Sequence, residues 1–72
     1  MDQMPANLYR MLYLTDLGYV VYRHCFDLNK CRIEDGVRAH KQAVFVEELA
    51  AIDYCAYRNR LIDETGSDAL DA

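Results

Sequence analysis

The fold turns on residues 8–28, LYRMLYLTDLGYVVYRHCFDL. Tyr19, Val20, Val21 and Tyr22 carry strand propensity, and Gly18 is a residue at which a helix can break. The polar positions argue the other way. Asp16, Arg23, Asp27 and Lys30 follow one another at intervals of seven, four and three, which puts them on one narrow stripe of a helix and allows an Arg23 to Asp27 contact. A strand would scatter them over both faces. The reading is therefore one helix over about residues 8–28, with Gly18 costing about 1 kcal/mol relative to alanine. Pro5 and Asn7 suit its first turn and its N-cap.

Beyond it, Asn29-Lys30-Cys31-Arg32 reads as the connection, because the next periodic apolar residue is Ile33; Asp35-Gly36 is the rival boundary. A second helix over about 33–64 follows, and Gly66 is placed to end it. The expected fold class is all-α, an antiparallel helical hairpin. One domain spans residues 1–65, followed by a short acidic disordered tail at 66–72.

Composition supports a folded chain. Of 72 residues, 53% are hydrophobic and 28% charged, too apolar for intrinsic disorder and short enough that the core is marginal. Uninterrupted apolar runs reach only four residues, as in Tyr19 to Tyr22, so no membrane span is expected. The start, Met-Asp-Gln-Met-Pro, lacks a secretory pattern, and a cytoplasmic location is the expectation. Cys25, Cys31 and Cys55 form no C-x-x-C pair and read as free thiols. The net charge of −4 resides in the last ten residues, which hold four acids and no base. The rest is neutral, which argues against a folded mimic of nucleic acid.

Apolar residues encircle both expected helices. Phe45, Leu49, Ile52 and Ala56 form one stripe of the second, flanked by Val37, Val44, Ala51, Cys55 and Ile62 on one side and Ala43, Val46, Ala50, Tyr57 and Leu61 on the other. A single partner helix covers one stripe. The expectation is a homodimer forming a four-helix bundle, with Leu12, Phe45, Leu49, Ile52 and Ala56 in the dimer core. The alternative is cover by a different protein.

Tyr9 and Tyr13 should lie level with Tyr54 and Tyr57 beside Arg58, and Tyr and Arg dominate interface hot spots, so these five residues form the expected partner-binding surface. The basic turn of Lys30, Arg32, Arg38 and Lys41 could meet phosphates, although a solvated helix end explains the same charges. His24, Cys31 and His40 are chemically admissible zinc ligands, but their spacing matches no finger, and buried free cysteine usually behaves as a small hydrophobe. No metal or cofactor is expected. There is no Glu-x-x-His pattern for a di-metal bundle, and Cys31 beside His24 or His40 is the one conceivable nucleophile and base. No enzyme activity is expected. The function these residues suggest is a small non-catalytic intracellular protein that binds a macromolecular partner and modulates or inhibits it, in the manner of an accessory regulator or phage-type inhibitor. A nucleic-acid accessory protein and a small zinc module are the alternatives.

Overall fold

The computed structural model describes residues 8–65. The proposed tail at 66–72 and the Pro5/Asn7 helix start lie outside them. Five elements follow in order: β1 (Tyr9–Leu14), β2 (Gly18–Arg23), α1 (Ile33–Ala39), β3 (Lys41–Phe45) and α2 (Glu48–Thr65). The strands form one antiparallel sheet in the order β1-β2-β3. The chain is thus α+β, and the all-α helical hairpin and its four-helix bundle are overturned.

Residues 8–28 are a β-hairpin. Leu17 N–H closes the turn onto Leu14 C=O at 3.0 Å, and Gly18 follows with φ +113°, a conformation that side chains disfavour. A Cβ there would also stand 2.9 Å from the carbonyl oxygen of Phe45. β2 is central and buried on both faces. Val20 and Tyr22 face one core, with Leu14 and Val37; Val21 faces the other, with Tyr9 and Ala51. A strand covered on both sides shows no polar alternation, and its short apolar run cannot be told from a buried helix by periodicity. The helical stripe of Asp16, Arg23, Asp27 and Lys30 was coincidental. Asp16 sits in the hairpin turn and binds Arg38 of α1 through two contacts of 2.9 Å. Asp27 accepts from Asn29 N–H through its side chain and from Lys30 N–H through its carbonyl.

The second expected helix, 33–64, is broken by β3. Ala43 and Phe45 pair with Val21 and Tyr19, and Val44 with Val20, so the apolar run that resembled a helix flank is a sheet edge. The sequence has no local mark of this, because the partner strand lies some twenty residues away. What remains of that helix is α1, seven residues with Glu34 and Asp35 in its first turn and Arg38 in its last, and α2, eighteen residues long. α1 packs on one face of the sheet and α2 on the other. No helix among the described residues is long and apolar enough to cross a membrane.

Candidate functional site

α2 lies on the sheet through Ala51, Tyr54, Cys55, Arg58, Asn59 and Ile62, the i, i+3, i+4 spacing of one helical face. Its position is fixed by polar contacts as much as by packing. Arg58 is only 4% exposed; its guanidinium stands 4.5 Å from the centre of the Tyr9 ring and donates to the hydroxyls of Tyr9 and Tyr54. Asn59 accepts from Tyr9 N–H at 2.8 Å and donates to Tyr9 C=O at 3.0 Å, imitating a neighbouring strand at the start of β1. Cys55 adds a thiol contact to the same carbonyl at 3.3 Å, and burial holds that thiol above its ordinary pKa.

The opposite face of α2 is open and carries a short apolar row among charged side chains. Leu49 is 73% exposed and Ile52 43%, and Ala56 continues the row in solvent. Around the row stand the exposed acids Glu48, Asp53, Asp63 and Glu64, with Arg60 the one exposed base of α2. Of the five residues anticipated at the dimer core, these three are therefore surface residues of the protomer. Leu12 packs beside the α1-side core, and Phe45 sits in the α2-side core with its ring 5.5 Å from that of Tyr54.

The five residues anticipated at a partner surface divide. Tyr9 and Arg58 are buried and Tyr54 half-buried, so they join sheet to helix within the protomer. Tyr13 and Tyr57 are exposed, Tyr13 with its ring 4.8 Å from that of Tyr19. The basic residues are dispersed: Lys30 and Arg32 lie in the 24–32 connection, Arg38 is tied to Asp16, and Lys41 begins β3. Arg32 makes only a loose, solvated contact with Glu34 at 3.7 Å.

Among the histidines and cysteines, the structure brings together Cys25 and His40, with Sγ 3.3 Å from Nδ1. Cys31 instead contacts the carbonyl of Asp27 at 3.7 Å. His40 is anchored by its backbone, donating to Gly36 C=O and accepting from Arg23 N–H, and its ring stacks on Phe26 at 5.5 Å and 11°. His24 closes the cluster 4.7 Å from Phe26; burial, with Arg10 adding to it, holds its pKa below the ordinary histidine value. A thiol beside an imidazole supplies two parts of a nucleophilic arrangement, but no group among the described residues bonds Nε2 of His40 to orient the ring. No group of three or more His, Cys, Asp or Glu side chains among the described residues is placed to hold a metal ion. The sequence missed the pairing of Cys25 with His40 because it arises from the β2–β3 ladder, and the role of Asn59 because it needs α2 beside β1.

No protein-family model, no curated protein and no solved structure matches this chain.

Proposed function

We propose that this protein is a non-catalytic binding module that docks onto another protein through the outer face of α2 and modulates it. The observation that carries this reading is the exposed row Leu49, Ile52 and Ala56 on a helix whose inner face is fully engaged. An apolar side chain left 73% in water contributes little to the protomer's own core, whereas covering the rest of it against a partner is worth about 1–2 kcal/mol. The surrounding acids define the partner's chemistry: an apolar groove or helix face rimmed by Lys and Arg. The helix needs no rearrangement to bind, since Arg58 and Asn59 already hold it against β1.

The test compares wild type with Leu49→Asp and Ile52→Asp in affinity capture from the native cell extract, after circular dichroism establishes that all three fold alike. Support requires a stoichiometric protein partner that wild type retains, that both variants lose, and whose association weakens with salt. A partner retained equally by all three, or none retained by wild type, overturns the reading.

A further inference from the structure

Arg23, the last residue of β2, brings two reactive side chains together through its own backbone. Its N–H donates to His40 C=O at 3.1 Å, and its C=O accepts from Cys25 N–H at 2.9 Å. His40, at the C-terminal end of α1, is held a second time by its own N–H, which donates to Gly36 C=O at 3.0 Å. The imidazole lies on the Phe26 ring, 5.5 Å away and 11° from parallel, so stacking sets its orientation. These constraints leave Sγ of Cys25 3.3 Å from Nδ1 of His40, with the thiol open to solvent. The other two cysteines lie differently. Cys31, in the same 24–32 connection, meets the carbonyl of Asp27 at 3.7 Å, and the partly buried Cys55 meets that of Tyr9 at 3.3 Å. A carbonyl accepts a thiol's hydrogen bond but does not take its proton; an imidazole does both.

We propose that Cys25 is a site of reversible modification by low-molecular-weight disulfides, with His40 as its proton acceptor. The Sγ–H proton passes to Nδ1 of His40, and the electron pair left on Sγ forms a bond to the nearer sulfur of the reagent. The reagent's own S–S bond breaks, its electron pair departs on the second sulfur, and that thiolate takes the proton back from His40. Cys25 ends as a mixed disulfide and half of the reagent as a free thiol, so the disulfide is the only oxidant consumed. Excess thiol reverses the exchange. An unassisted cysteine is only a few per cent thiolate near neutral pH; pairing raises that fraction, and part of the gain is lost because a more stable thiolate is a weaker nucleophile, which leaves a net advantage of about fourfold. Exposure alone is the competing explanation for a reactive Cys25, and it assigns His40 no part. The pair stands on the α1 side of the sheet, where Phe26 packs on the core, so this proposal and the docking role of the outer row of α2 fail separately.

Glutathione disulfide is the probe, applied to the full chain, with the rate at each cysteine read by mass spectrometry of quenched samples. Wild type near pH 7 is expected to form the mixed disulfide at Cys25 ahead of Cys31, and to lose that preference when unfolded in urea. His40→Phe keeps a ring to stack on Phe26 and removes the proton acceptor; it is expected to slow Cys25 about fourfold near pH 7 and to leave no deficit by about pH 9.5, where a thiol ionises unaided. Should that variant fail to fold by circular dichroism, His40→Gln takes its place. Four results overturn the proposal: modification of Cys31 as fast as Cys25, a preference for Cys25 that survives urea, a folded His40 variant that reacts as fast as wild type near pH 7, or a deficit of the same size at both pH values, which a change in access alone would produce.

Discussion

Gly36 is the residue at which helix propensity and packing make opposite demands. It occupies the middle of α1, where replacing glycine by alanine in open surroundings stabilises by about 1 kcal/mol. Here the site is closed. A Cβ would stand 2.6 Å from Cζ of Phe26 and closer still to Cδ2 and Cε2. The Phe26 ring has little freedom to yield, being stacked on His40 and set beside His24 and Tyr22. Overpacking of this kind costs about 1–3 kcal/mol beyond any local gain. Gly36→Ala is therefore expected to destabilise by about 1–2 kcal/mol net, lowering the melting temperature by roughly 5–15 °C in a domain of this size. Phe26→Val removes the ring atoms that clash. In that background Gly36→Ala should become stabilising by about 0.5–1 kcal/mol, which makes the coupling between the two sites about 2 kcal/mol. Urea unfolding of the four proteins, followed by far-ultraviolet circular dichroism, measures the cycle. If Gly36→Ala stabilises the wild-type protein, or if its effect is the same with and without the ring, close packing of Phe26 on α1 is not what holds the 24–32 connection in place.

Two further predictions concern the titrating side chains. The order of thiol alkylation under native conditions should be Cys25 first and Cys55 last, because Cys25 is exposed while Cys55 is partly buried, donates to Tyr9 C=O and has a raised pKa. Mass spectrometry of time-quenched samples checks this, and labelling of Cys55 as fast as Cys25 would contradict the placement of α2 on β1. Stability should also fall in two separate windows of decreasing pH. Burial depresses the folded pKa of His24, so the unfolded chain binds the extra proton first and stability declines as pH drops below about 6.5, levelling off beneath the folded value. The Arg38 hydrogen bond depresses the folded pKa of Asp16, so its contribution is full above the ordinary aspartate range and disappears as pH falls through the folded value. Urea midpoints against pH should show both declines, with His24→Gln removing the upper one and Asp16→Asn the lower; an unchanged profile in His24→Gln would place the upper decline elsewhere.

The chain itself determined that it would fold around an apolar core and that a helix would occupy the region of Leu49 to Ile62. Those follow from composition and from a 3.6-residue period, which are properties of neighbouring residues. The strands were decided elsewhere. Tyr19 to Tyr22 is buried on both faces only because α1 and α2 arrive on opposite sides of the sheet, and Ala43 to Phe45 is extended only because β2 offers it a ladder. An apolar run bonded to a distant strand leaves no periodic trace in its own sequence. The same reason hid the meeting of Cys25 with His40 and of Asn59 with Tyr9: each contact joins residues fifteen or more apart, and only the closed structure brings them within reach.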